Sequence, residues 1–172
     1  IPIILEPMGG KFLTNMKFKL VAFGGTFDKF HIGHEAALEK ALELGEKVLI
    51  GITSNEMVKK IKPNAKISDF ELRKRQVELF LYKKNSRERA QIIKLDDPYG
   101  PSINDPKIDA IIVTEETLPR VNEINELRKK NGLPSLTPIF VNTVMAEDNK
   151  PISSTRIRLG EIDRYGRIIG KN

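Results

Sequence analysis

The sequence predicts an α/β fold, a doubly wound parallel sheet of about five strands in a single domain. Three observations predict it. Short apolar runs alternate with stretches of helical periodicity along the chain. The first run, Leu20-Val21-Ala22-Phe23, leads through Gly24-Gly25 into a helical pattern. That strand, turn and helix order is the phosphate-binding unit of such sheets. The chain of 172 residues, 40% hydrophobic and 30% charged, is long and apolar enough to bury a sizeable core.

Each element follows from local signals. The first strand is expected at 19–23 and the first helix at 33–44, with Ala37, Leu38, Ala41 and Leu42 on one face. Gly45 ends that helix as a C-cap residue. The second strand is expected at 47–53, and Ser54 or Asn55 caps a short helix through Glu56-Met57-Val58. Ser68-Asp69-Phe70-Glu71 has the spacing of a capping box with Ser68 as cap. The helix it opens runs to about residue 82, with Leu72, Val77, Leu79 and Phe80 available for burial. A third strand is expected at 90–95, and a turn-rich loop with Pro98, Pro101 and Pro106 follows. Residues 110–113 form a buried strand. Residues 115–130 are helical, with Pro119 in the first turn, where its missing N–H costs nothing, and Asn131-Gly132 at the end. The last strand is expected at 138–144, and a final helix starts at Ser153 or Ser154. No internal repeat, low-complexity segment or interdomain linker interrupts this order.

Composition narrows the function. The chain has no cysteine. Disulfides, thiolate metal sites and cysteine nucleophiles are thereby excluded, and a reducing cytoplasm is the expected location. No uninterrupted apolar stretch is long enough to span a membrane. The net charge is +6, but Lys and Arg are mixed with Glu along helical stretches, the pattern of a solvated surface. A site for phosphorylated substrates also favours a positive balance. Aromatic residues are few and not interleaved with basic ones, so no nucleic-acid partner is expected. Lysine-rich, cysteine-free composition hints at a thermophile. Residues 1–15, with Pro2, Pro7, Gly9 and Gly10, read as a leader or extraneous remnant, with an extra edge strand as the alternative. Met16-Lys17-Phe18-Lys19 has the look of a natural start, so the domain is set at 16–172. The sequence does not set the oligomeric state; a monomer is compatible with it.

Both histidines lie in one segment, Gly24-Gly25-Thr26-Phe27-Asp28-Lys29-Phe30-His31-Ile32-Gly33-His34. At i, i+3 on a helix start both can face one ligand and donate to phosphate oxygens. Two histidines also suggest zinc, but there is no third His or Cys, and no metal ligand is expected. Two satisfied core histidines would leave Gly24, Gly25, Thr26 and Gly33 unexplained. The second motif is Pro151-Ile152-Ser153-Ser154-Thr155-Arg156-Ile157-Arg158. Alone it is an N-cap. With its hydroxyls and an arginine one turn later it offers a seat for a triphosphate tail.

The first segment resembles the GTFDxxHxGH motif of the HIGH-type nucleotidyltransferases at every fixed position, and the second resembles their ISSTxIR element. The HIGH spelling also occurs in class I aminoacyl-tRNA synthetases, but no KMSKS-type loop is found. A third element, Asp109-Ala110-Ile111-Ile112-Val113-Thr114-Glu115-Glu116-Thr117, is by itself a strand running into an acidic helix start. It closely resembles the strand end of archaeal phosphopantetheine adenylyltransferase and of the matching domain of eukaryotic coenzyme A synthase. So do residues 51–60, and residues 158–163 resemble the archaeal branch.

This resemblance implies transfer of AMP from ATP to 4′-phosphopantetheine, giving dephospho-coenzyme A and pyrophosphate without a covalent intermediate. Mg²⁺ would be carried mainly by the ATP phosphates. Thr26 would hold the attacking phosphate, and His34 with His31 would contact the ATP phosphates and neutralise charge in the transition state. Lys59, with Lys60 as rival, would bridge the two phosphates. Gly24, Gly25 and Phe27 would bring backbone to the nucleotide, and Ser153, Ser154, Thr155 and Arg158 would hold the β,γ-phosphates. Arg156, at the variable position, is expected to face solvent. The alternatives are a cytidylyltransferase or an FAD synthase of the same superfamily, or a non-catalytic nucleotide- or RNA-binding module. Cytidylyltransferases carry an arginine-threonine-glutamate-glycine lead into the serine element. The sequence Glu147-Asp148-Asn149-Lys150-Pro151 argues against CTP.

Overall fold

The computed structural model describes residues 18–115 and 117–170. The expected leader, residues 1–15, lies outside them. Five parallel strands, β1 (Phe18–Gly25), β2 (Gly45–Thr53), β3 (Ala90–Leu95), β4 (Ala110–Val113) and β5 (Thr137–Phe140), form one sheet in the order β3-β2-β1-β4-β5. The helices are α1 (Ile32–Leu44), α2 (Asn55–Ile61), α3 (Phe70–Lys83), α4 (Leu118–Lys130) and α5 (Ser154–Arg158). β1 is central, with β2 on one side and β4 on the other. The winding direction reverses there, which opens a crevice at the carboxyl ends of β1 and β4.

The central strands are buried on both faces, and their side chains alternate between two cores. Val21, Phe23, Ile50, Ile52 and Ile112 pack with Leu38, Val77 and Phe80 of α1 and α3. Ala22, Leu49, Ile111 and Val113 pack with Val121 and Ile124 of α4. A small third cluster, Ala146, Ile152 and Ile162, carries the C-terminal segment.

Several element boundaries differ from expectation. Gly45 is the C-cap of α1 as expected, its N–H donating to the Ala41 carbonyl, but its φ of −102° is extended, not left-handed, and it is also the first residue of β2. A Cβ there would meet a Val21 methyl at 2.8 Å, so the position needs a glycine for space. The cap of α3 is Asp69, which accepts the Glu71 N–H, while the Ser68 N–H goes to Asp28. Leu72 and Leu79 are exposed. The buried face of α3 runs through Phe70, Arg73, Val77, Phe80 and Leu81, so a buried arginine lies where leucines were expected. α4 starts at Leu118 because the Thr117 hydroxyl first closes a turn on the Thr114 N–H, and Pro119 does lie in its first turn. β5 stops at Phe140, where its partner β4 also ends.

Candidate active site

The crevice is built from the β1–α1 loop outward. His31 is the N-cap of α1, and its Nδ1 accepts the N–H groups of Gly33 at 3.0 Å and His34 at 3.4 Å. His34 is N3, and its Nδ1 accepts the His31 N–H at 3.2 Å. The two rings therefore make a capping box with imidazoles in the usual Ser and Glu positions. With each Nδ1 acting as acceptor, each neutral ring carries its proton on Nε2. The rings stack 3.8 Å apart, and His34 also packs against Phe27 and Phe30.

Burial pulls the His31 pKa down to about 4, with the positive Arg164 adding to the effect. Burial, and then His31, hold His34 well below the ordinary value. Both rings are thus neutral hydrogen-bond donors near neutral pH. In the free protein the rings therefore lack the positive charge that the expected neutralising role implies. Gly33 leaves room for this arrangement, since a Cβ there would lie 2.8 Å from His31 Cε1.

Asp28 is the joint of the site. Its side chain is buried, with Oδ2 receiving Arg158 Nη1 at 2.6 Å and Oδ1 receiving the Ser68 N–H at 3.0 Å. Its carbonyl accepts the Ser154 hydroxyl at 2.6 Å. Burial raises the Asp28 pKa, but the Ser68 N–H and the Arg158 guanidinium outweigh it and hold the carboxyl below its ordinary value. The flanking residues Phe27 and Lys29 both have left-handed φ, 56° and 47°. Such strain persists only where surrounding contacts fix the loop.

Two cavities meet here. One, of about 230 Å³, is lined by His31, His34, Ser153, Ser154 and Thr155. The other, of about 250 Å³, is mainly apolar, with Met57, Ile61, Ile93, Tyr99 and Val121 on its walls. Gly24, Gly25, Thr26 and Lys62 line both.

The structure thus brings Gly24, Gly25, Thr26, Phe27, His31, His34, Ser153, Ser154 and Thr155 to one place. It does not bring Lys59 or Lys60, which are exposed on α2 and line neither cavity. Lys62, just past the end of α2, stands at the shared wall instead. Arg158 is turned onto Asp28 and Thr155 and is not on the cavity wall. Arg156 does not face solvent freely, because it pairs with Asp148 and Glu161. Sequence reasoning missed Lys62, because the register after α2 is set by the helix end and not by any motif. It also missed Arg73, although its spacing from Val77 and Phe80 places it on the apolar face.

Comparison with known proteins shows the family. The cytidylyltransferase-like family matches residues 22–160. The chain is 42% identical over 147 residues to a phosphopantetheine adenylyltransferase of Methanopyrus kandleri, covering 86% of this chain and 92% of that one. It is 43% identical over 153 residues to a phosphopantetheine adenylyltransferase of Methanothermobacter thermautotrophicus, covering 89% and 91%. Among solved structures, a protein of unknown function from Archaeoglobus fulgidus superposes with a TM-score of 0.64 at 28% identity, covering 71% of this chain and 88% of that one.

Proposed function

The chain belongs to the phosphopantetheine adenylyltransferases, and on that premise we propose that its two adjoining cavities hold the two substrates of the transfer, ATP and 4′-phosphopantetheine. One observation carries this reading: the cavities share a wall made of Phe23, Gly24, Gly25, Thr26 and Lys62. Two phosphates entering from opposite sides would meet at that wall. The apolar cavity suits the pantetheine arm. The cavity with the imidazoles and hydroxyls suits the triphosphate.

An oxygen of the 4′-phosphate attacks the α-phosphorus of ATP, the bond from that phosphorus to the bridging oxygen breaks, and pyrophosphate leaves with the electron pair. The nucleophile is already anionic near neutral pH, so no general base is required. The protein contributes alignment and charge stabilisation. Thr26 holds the attacking phosphate. Lys62, in place of Lys59, bridges the attacking and α-phosphates. His31 and His34 donate from Nε2 to oxygens that gain charge in the transition state. Ser153, Ser154 and Thr155 seat the outer phosphates, and the backbone of Gly24, Gly25 and Phe27 lies against the nucleotide. Arg158 acts through Asp28 and fixes this seat from behind.

Among the described residues no three His, Cys, Asp or Glu side chains gather where they could hold a metal. The donor set therefore suits Mg²⁺ carried by the ATP phosphates and water. When bound, it would offset the negative charge of the triphosphate. The experiment is the stereochemical course with ATP chiral at a thio-substituted α-phosphorus. Inversion is expected from a single in-line displacement, and retention would mean a covalent intermediate.

A further inference from the structure

Arg73 is buried to 1% exposure in the first turn of α3. All of its hydrogen bonds described here go to uncharged oxygens. Nε donates to the Ser68 carbonyl at 2.7 Å, Nη2 to Asn55 Oδ1 at 3.2 Å, and Nη1 both to the Thr26 carbonyl at 2.9 Å and to Thr53 Oγ1 at 3.2 Å. Burying a cation without a carboxylate at hydrogen-bond distance is costly, and an apolar side chain would serve packing better. A guanidinium has one property no apolar or amide group shares: it only donates.

That property sets a direction. Thr53, itself 5% exposed, accepts a hydrogen bond from Arg73 and donates its own hydroxyl hydrogen bond to Thr26 Oγ1 at 3.3 Å. Thr26 Oγ1 is then an acceptor toward Thr53, so its own proton is left for another partner. Thr26 lies on the wall shared by both cavities. Its carbonyl is turned onto Arg73, and in a planar trans peptide the Phe27 N–H points the opposite way, away from Arg73.

We propose that Arg73 and Thr53 are positioning residues forming a one-way hydrogen-bond relay, Arg73 to Thr53 to Thr26, that presents the Thr26 hydroxyl to the substrate phosphate as a donor. Without Arg73, Thr53 can accept a hydrogen bond from Thr26 and leave a Thr26 lone pair toward the anion; without the Thr53 hydroxyl, Thr26 Oγ1 loses the bond that fixes its rotamer and can turn away from the phosphate. The proposal rests on the reading above that Thr26 holds the attacking phosphate.

A double-mutant cycle read by calorimetric binding of 4′-phosphopantetheine tests it, with thermal unfolding as the check on folding. A hydrogen bond to a charged group sets the scale, so Thr26→Val should weaken binding about 10- to 100-fold and Thr53→Val about tenfold. The double variant should bind no more weakly than Thr26→Val alone, because Thr53 acts only through the Thr26 hydroxyl. Thr53→Ser should restore binding, and Thr53→Ala against Thr53→Ser gives the same comparison if the valine variant fails to fold. If the two effects add, or Thr53→Val and Thr53→Ala bind as wild type, the relay is wrong while the role of Thr26 stands. If Thr26→Val binds as wild type, Thr26 does not hold the phosphate and the relay falls with it.

Discussion

His31 and His34 cap the first turn of α1 through each other, each Nδ1 accepting the other residue's backbone N–H. The i, i+3 spacing of the two histidines is therefore a helix-capping distance as well as a phosphate-facing one. It locks both Nε2 protons in the donor position before substrate arrives.

His34→Ala should consequently affect two quantities. Loss of one transition-state donor costs ~10²–10³ in kcat. Loss of one half of the capping box costs about 1 kcal/mol of stability, seen as a lower Tm. A ring merely lining a solvent-filled pocket would leave Tm unchanged. The ATP dissociation constant should change much less than kcat. A kcat within about threefold of wild type would remove His34 from catalysis.

Stability should rise with pH between about 4 and 6.5. The folded protein holds the His31 pKa near 4 against 6.5 for the free side chain, and His34 is lowered as well. The unfolded chain therefore binds more protons throughout this interval. The stabilisation is fully present above pH 6.5 and is lost as pH falls through the folded values. The slope should approach ~1.4 kcal/mol per pH unit from His31, with His34 acting in the same direction, measured by urea unfolding across the range. A flat profile between pH 4 and 6.5 would mean that the rings are hydrated or charged in the folded state.

Lys62→Ala should lower kcat/KM by at least about tenfold, whereas Lys59→Ala and Lys60→Ala should stay within about twofold. Steady-state kinetics of the three variants decides between the shared wall and the exposed face of α2. Loss confined to Lys59→Ala would restore the assignment that the sequence alone favours.

Arg158→Ala should destabilise the protein by about 3 kcal/mol, since it leaves the buried Asp28 carboxylate without its cation. Asp28→Asn should do the same from the other side. Chemical unfolding measures both. A stable Arg158→Ala variant with ATP affinity alone reduced would instead mean that this arginine grips the leaving pyrophosphate directly.

Most of the fold was legible because the strands carry short apolar runs, continuous where both faces are buried, as at 110–113 in β4, and broken by exposed Gln91 and Lys94 at 90–95 in β3. Less legible were boundaries decided by a side chain bonding to a distant or neighbouring backbone group. Ser68 loses the capping role because Asp28, forty residues earlier, takes its N–H. The α4 start moves because Thr117 bonds to Thr114. In the site, Gly24, Gly25, Thr26, Phe27, His31, His34, Ser153, Ser154 and Thr155 border the cavities, lie within the motifs and could be named. Lys62, Thr53 and Arg73 could not, since their places depend on where α2 ends and how α3 turns against β2. Arg158 was nameable from its motif, but its direction was fixed by a carboxylate 130 residues away.

The most direct test of the whole account is the rate of pyrophosphate release with ATP or CTP against 4′-phosphopantetheine, phosphocholine, glycerol phosphate and FMN, in the presence of Mg²⁺. ATP with 4′-phosphopantetheine should be turned over far faster than any other pair, with dephospho-coenzyme A formed in equal amount to pyrophosphate. Faster turnover with CTP, or with FMN as acceptor, would contradict it.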